Sequence, residues 1–201
     1  MPLTRRPLLA AFLTAPLLAL ARRAGARTPT ATEGPFYPTP AMRFADIDNN
    51  LVRITGAVRD AGGEVVILKG RVLGTDGAPV AGARVEIWQC DANGVYLHDG
   101  DRRRGGYDDA FQGFGHVVTG DDGAYAFRTI RPVPYPGRTP HIHVKVFAEG
   151  RELTTQFYLA GHPSNEDDFL FRRMSEAEKR AVAMNFTPGP DGPEATVDIT
   201  L

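Results

Sequence analysis

From Glu64 onward the sequence is cut into short runs rich in Val, Ile, Phe and Thr. They are Glu64–Leu73, Arg84–Gln89, His116–Thr119, Tyr125–Ile130, His141–Phe147, Leu153–Leu159 and Thr196–Leu201. Between them stand Asp76-Gly77, Ala92-Asn93-Gly94, Asp121-Asp122-Gly123 and Pro134-Tyr135-Pro136-Gly137, each with the Gly, Asn or Pro that a tight turn needs. Short apolar runs punctuated this regularly predict the strands of an all-β sandwich. One helix is expected, opened by the Ser175 and Glu178 capping-box pair and continued by Ala177, Arg180, Ala181 and Met184 on the surface. A single cysteine, Cys90, excludes an intrachain disulfide framework and a zinc site built from several thiolates, so burial must stabilise the domain.

The first 26 residues read differently. Arg5 and Arg6 precede a 14-residue apolar run, Leu8 to Ala21, too short to cross a bilayer and of the length of a signal-peptide core. Ala24-Gly25-Ala26 supplies the small residues of a cleavage site, and Arg5-Arg6 with Arg22-Arg23 favours the twin-arginine route. The expected division is a signal peptide at 1–26, an irregular Pro-rich arm at 27–50 and a sandwich domain at 51–201, with the mature chain periplasmic or secreted and free of the membrane. Loss of four arginines leaves 19 basic against 24 acidic side chains. That balance does not suit a nucleic-acid partner.

The most informative strand is His141-Ile142-His143-Val144-Lys145-Val146. Side chains alternate faces, so Ile142, Val144 and Val146 should enter the core and His141 and His143 should share the other face, about 7 Å apart along the strand. Such a pair can chelate a metal, and it also reads as two polar residues on an outer face. Cysteine offers one ligand at most, and no acidic residue lies within four positions of the pair, which argues against a cupin-like site with an adjacent carboxylate. Tyrosine remains. Tyr135 sits in a proline-stiffened turn just before the histidine strand, and Tyr96 follows the Asp91–Gly94 turn. On position alone either tyrosine also reads as a half-buried packing residue.

In combination these segments resemble a known family. Ile87-Trp88-Gln89-Cys90-Asp91-Ala92-Asn93-Gly94-Val95-Tyr96, then Tyr125 to Ile130 with Pro132 and Pro134-Tyr135-Pro136, then Pro140-His141-Ile142-His143-Val144, are similar in order and spacing to the signature segments of the intradiol ring-cleavage dioxygenases. Glu33-Gly34-Pro35-Phe36-Tyr37-Pro38 is similar to the arm that precedes their catalytic sandwich, so the likeness runs from about Thr32 to Phe171.

The resemblance implies a ferric ion, Fe(III), held by Tyr96, Tyr135, His141 and His143. The chemistry agrees: a hard trivalent ion pulls a phenol from its free pKa of about 10 to the phenolate, and two phenolates with a hydroxide cancel its charge. By the same resemblance a catechol and O2 are the substrates and a cis,cis-muconate the product. Tyr135 is then the ligand that leaves and takes a catechol proton, Arg138 stabilises charge building on the ring, and Gln156 adds a polar contact in the pocket. Cys90 is expected as a small buried residue beside the site. Gly137 stands where protocatechuate-cleaving members usually carry a tryptophan, and the short stretch before the first strand leaves no room for the helical N-terminal domain of the catechol-cleaving members, which implies a sandwich-only member. Export and Gln89-Cys90-Asp91 resemble the secreted branch of the family, whose substrates and oligomeric states vary, so a homo-oligomer and a pairing with a sister chain both stay open. The alternative from fold alone is a transthyretin-like binding module, since Gly70 to Ala83 is a strand, turn and strand with no chemistry in it.

Overall fold

The computed structural model describes residues 25–201, so all but the last two residues of the expected export signal lie outside the described residues. In chain order the strands are β1 (Val65–Leu73), β2 (Arg84–Trp88), β3 (Phe114–Val118), β4 (Ala124–Ile130), β5 (His141–Ala148), β6 (Arg151–Leu159), β7 (Ala183–Met184), β8 (Thr187–Gly189), β9 (Gly192–Thr196) and β10 (Ile199–Thr200). They form two five-stranded sheets. In one, β1 pairs antiparallel with β4 along its length and in parallel with β9 and β10, while β8 closes the edge against β9. The other has the order β3-β2-β5-β6-β7. The two sheets make the expected all-β sandwich.

The core lies between the sheets and follows the period of two. Leu68 and Val72 of β1 and Phe127 of β4 meet Val85 and Ile87 of β2, Ile142, Val144 and Val146 of β5, and Phe157 of β6, all essentially inaccessible to solvent. Alternation then directs Glu86, Trp88, His141, His143, Lys145 and Gln156 to the outer face of the second sheet. That face is buried as well, because the arm lies across it. The Ala31 amide donates to the Thr154 carbonyl (2.8 Å), the Gln156 amide to the Thr32 carbonyl (2.9 Å) and the Tyr37 hydroxyl to Glu86 (2.6 Å). Lys145 pairs with Glu33 and, at 3.0 Å, with Glu152. The arm keeps the irregular backbone its prolines predict, with one 3-10 turn at Pro40–Met42.

Two local expectations are corrected, and one hairpin is added. The helix, α1, spans Glu176–Ala181 with both arms of its capping box formed, but stops before Met184: Val182 leaves the helical region (φ −115°, ψ 13°), and Val182 and Met184 are fully buried. Met184 instead pairs in β7 with Leu159, an edge too short to read from sequence. The last expected strand, Thr196–Leu201, is two: β9 ends at Thr196, β10 begins at Ile199, and Asp198 between them accepts a hydrogen bond from the Arg71 amide (2.9 Å). The β8–β9 hairpin escapes a propensity reading because it carries Pro188, Gly189, Gly192 and Pro193, which a sheet tolerates at its edge.

Candidate metal centre

His141 and His143 lie on one face of β5, as the alternation requires, but both are about 1% exposed where an uncovered outer face would leave them half exposed. Their Nε2 atoms face each other at 3.2 Å. Nδ1 of His141 lies 2.6 Å from the Thr139 carbonyl, an acceptor, so that nitrogen carries the proton and Nε2 keeps its lone pair. Burial, with the nearby positive charge of Arg138, pushes the His141 pKa down to about 3, and burial together with His141 drives His143 far below its ordinary value. Both rings are neutral imidazoles at neutral pH. Trp88, the cross-strand partner of His143, stacks on it at 4.7 Å between ring centroids and fixes its plane.

Two turns bring the tyrosines to this pair. The Asp91 carboxylate accepts from the amides of Asn93 and Val95 (both 2.9 Å), closing the turn before Tyr96, and Asp101 accepts from the Tyr96 amide (3.0 Å). Gly94 has φ +72°, and a Cβ there would come within 2.9 Å of the Pro134 carbonyl, so glycine lets the two tyrosine turns touch. The second turn runs from Tyr135 to Arg138, whose amide donates to the Tyr135 carbonyl (2.9 Å). Pro136 and Gly137, the latter at φ +82°, fill the central positions a type II turn asks of them.

The result is a cluster. Tyr96 meets Tyr135 edge to face at 5.3 Å, Tyr135 lies 5.4 Å from His141, and Tyr96 lies 6.1 Å from His143, centroid to centroid. Tyr96 is buried, stacked against Phe36 of the arm at 4.7 Å, and its hydroxyl has no hydrogen-bond partner; Tyr135 is half-buried. Burial raises both phenols above their ordinary pKa, Tyr96 the more strongly, and outweighs the opposing pull of Arg138 on Tyr135, so without a bound metal ion both are neutral. Nδ1 of His143 is likewise without a partner.

This donor set fits a hard cation. Two neutral imidazoles converge beside a phenol oxygen that nothing else satisfies. Among the described residues no three His, Cys, Asp or Glu side chains gather to hold a metal, so an ion here must draw on the tyrosines. The nearby carboxylates, Asp168 and Asp101, are already committed to other donors.

Beside the cluster Arg138 is almost fully enclosed, its side chain 9% exposed. Its guanidinium donates to Asp168 (2.7 Å), to the Gln156 side-chain carbonyl (2.7 Å) and, more weakly, to the Tyr135 hydroxyl (3.4 Å). Gln156 is engaged at both ends: its amide holds the arm at Thr32, and its oxygen also accepts from the Tyr158 hydroxyl (2.9 Å). Asp168 was not legible as a site residue. It accepts from the amides of Thr139, Leu170 and Phe171 at 3.0–3.1 Å as well as from Arg138, which marks it as the residue that positions the guanidinium. Phe36 and Trp88 stand in the segments that carry the family resemblance, but their stacking against Tyr96 and His143 needs the arm and the strand order. Cys90 is buried with Trp88, Tyr96 and Phe114 as expected, and burial raises its thiol pKa to about 12.

The class defined so far is a two-sheet β-sandwich whose covered outer face holds two imidazoles and two phenols in a cluster suited to a metal ion. A family model described as "Dioxygenase" matches residues 32–200. The beta chain of protocatechuate 3,4-dioxygenase from Burkholderia cepacia is 34% identical over 156 residues, covering 73% of this chain and 66% of that one. Catechol 1,2-dioxygenase from Acinetobacter baylyi is 30% identical over 193 residues, covering 81% and 58%. Among solved structures, the dioxygenase domain of a dioxygenase carbohydrate-binding protein fusion from Streptomyces sp. SirexAA-E superposes with a TM-score of 0.67 at 35% identity, covering 88% of this chain and 98% of that one. The chain belongs to the intradiol ring-cleavage dioxygenase family. It spans about half to two thirds of the length of the curated relatives it matches. These relatives do not favour the binding-module alternative, which rests on the sandwich alone.

Proposed function

We propose that the chain cleaves catechol-type rings between their two hydroxylated carbons with O2, giving cis,cis-muconate products, at a ferric ion held by Tyr96, Tyr135, His141 and His143. The observation that carries this reading is the facing pair of neutral, buried imidazoles beside the partnerless Tyr96 hydroxyl. A polar group buried without a partner costs about 1–3 kcal/mol, a cost that a bound cation removes. The ion's contribution, when bound, is to withdraw electron density from a chelated catechol so that a ring carbon reacts with O2.

The remaining steps belong to the chain. Tyr96, fixed by Phe36 and by Asp101 on its amide, would hold the ion as a phenolate throughout. Tyr135, half-buried at the head of its turn, would be the exchangeable holder of the ion, and its oxygen is the group that would take a catechol proton. The Thr139 carbonyl holds His141 in the tautomer that offers Nε2. Arg138 reaches the Tyr135 oxygen and stabilises negative charge on the ring; Asp168 and Gln156 act through it by fixing the guanidinium. Phe36 and the arm exclude water from the inner side of the cluster.

The reading also takes the chain to be exported and cut near Ala26, leaving a soluble periplasmic or secreted protein acting as a homo-oligomer or with a sister chain. A native-host chain that keeps Met1 in the cytoplasm would contradict the export step. The activity is tested by supplying iron-loaded protein with catechol under 18O2. Equimolar O2 uptake and a muconate carrying both labelled atoms are expected. An iron-replete protein that consumes no O2 with catechol or with its carboxylated and hydroxylated derivatives would refute the reading.

A further inference from the structure

A cavity of about 300 Å³ opens beside the two tyrosines, lined by Phe36, Tyr135 and Pro136 on the inner side and by Asp101, Arg102 and Arg103 on the outer. The inner wall is part of the cluster already described, since Phe36 stacks on Tyr96 and lies 6.1 Å from the Tyr135 ring. A molecule held at the cluster therefore has free space on this side. The turn bounding that space is open too: a Cβ built at Gly137 would meet no atom within 4 Å.

The charges on the outer wall are unequal. Arg103 is spent on Asp101, donating at 3.1 and 2.9 Å, and Asp101 in turn holds the Tyr96 amide. The next arginine, Arg104, faces Asp99 at 3.4 Å. Arg102, which precedes both, is exposed and has no hydrogen-bond or ion-pair partner among the described residues. The rim thus carries one uncompensated positive charge over a space continuous with the ring site. The other nearby cation, Arg138, already has the Asp168 carboxylate as its counter-charge.

We infer that this cavity is a substituent subsite that selects catechols bearing an anionic group, a carboxylate on the ring or on a short side chain, with Arg102 as its counter-charge. The inference rests on the proposed catechol chemistry for its substrate and on Arg102 for its selectivity, so the two separate experimentally. The measurement is kcat/KM of the iron-loaded full chain for catechol and for a catechol carrying a propanoate side chain, at low salt, in the parent protein and in Arg102→Ala and Arg102→Glu.

An exposed charge pair is a small effect, so the anionic-to-neutral ratio should fall about threefold in Arg102→Ala and about tenfold in Arg102→Glu. Both differences should shrink at high salt. Calorimetric titration of both catechols into the three proteins without O2 reads the same preference from binding alone. If the parent protein turns over neither catechol, the proposed activity fails while the titration still decides the subsite. An anionic-to-neutral binding ratio unchanged in Arg102→Glu would overturn the inference.

Discussion

Replacing Asp168 by Asn keeps the size of the side chain and removes its charge. Four donors converge on this carboxylate: Leu170 and Phe171 amides on one oxygen, the Thr139 amide and the Arg138 guanidinium on the other. An asparagine can still accept from the first pair, but its NH2 then faces two donors. The variant loses two hydrogen bonds and leaves Arg138 without its counter-charge, in a pair whose side chains are 9% and 0% exposed. Breaking a buried pair by neutralising one partner costs about 3–5 kcal/mol, and the low end applies because Gln156 and Tyr135 still hold the guanidinium.

The expected loss in urea unfolding of the metal-free protein is therefore about 3 kcal/mol at pH 7. The pH dependence gives a second readout. Burial pushes the Asp168 carboxyl upward, but the Phe171 amide, Arg138 and the Thr139 amide outweigh it and hold the folded-state pKa below the ordinary 3.8. A depressed carboxylate stabilises the fold above its unfolded pKa and loses that contribution as pH falls through the folded value. The gap between parent and variant should stay level from pH 7 to about pH 4 and narrow below that. A variant within about 0.5 kcal/mol of the parent, or a gap unchanged down to pH 2, would refute the assignment of Asp168.

Four further substitutions follow from the same geometry. His141→Ala and His143→Ala should each abolish iron retention, measured by metal analysis after gel filtration, while the far-ultraviolet circular dichroism of the sandwich is kept; full iron content in both would contradict the ligand set. Arg138→Ala should retain iron yet lose about 2–4 kcal/mol of barrier stabilisation in kcat with catechol, the scale of one charge-stabilising donor, and unchanged turnover would make Arg138 a purely structural residue. Gly94→Ala places a Cβ 2.9 Å from the Pro134 carbonyl at φ +72° and should displace the Tyr135 turn, lowering stability by about 1–3 kcal/mol and weakening iron binding; a neutral effect would show that the two turns are not coupled.

Most of the sandwich was legible because its strands obey the period of two and its turns carry the residues their backbone angles demand. The histidine strand shows this best, since Ile142, Val144 and Val146 could only fill the core if His141 and His143 faced away. The burial of those histidines was less accessible: it depends on the arm crossing the second sheet, which prolines at 35 and 38 describe as irregular without saying where it lies. Asp168 is out of reach for a related reason. Local spacing reports its bonds to the Leu170 and Phe171 amides, an ordinary loop motif, while its bond to Arg138 spans 30 positions and exists only once β6 has carried the chain back past the site. The β8–β9 edge fails in the opposite direction, because its prolines and glycines deny a strand that pairing nonetheless imposes.

The visible spectrum tests the four-ligand centre most directly. If Tyr96 and Tyr135 are phenolate ligands of ferric iron, ligand-to-metal charge transfer gives an absorption band in the visible, and the iron-loaded protein is reddish. The Tyr135→Phe variant should show a weaker, shifted band, and anaerobic addition of a catechol should replace part of the parent band with one at lower energy that reverts when O2 is admitted. An iron-replete protein with no visible band, or a band that Tyr135→Phe leaves unchanged, would contradict the account.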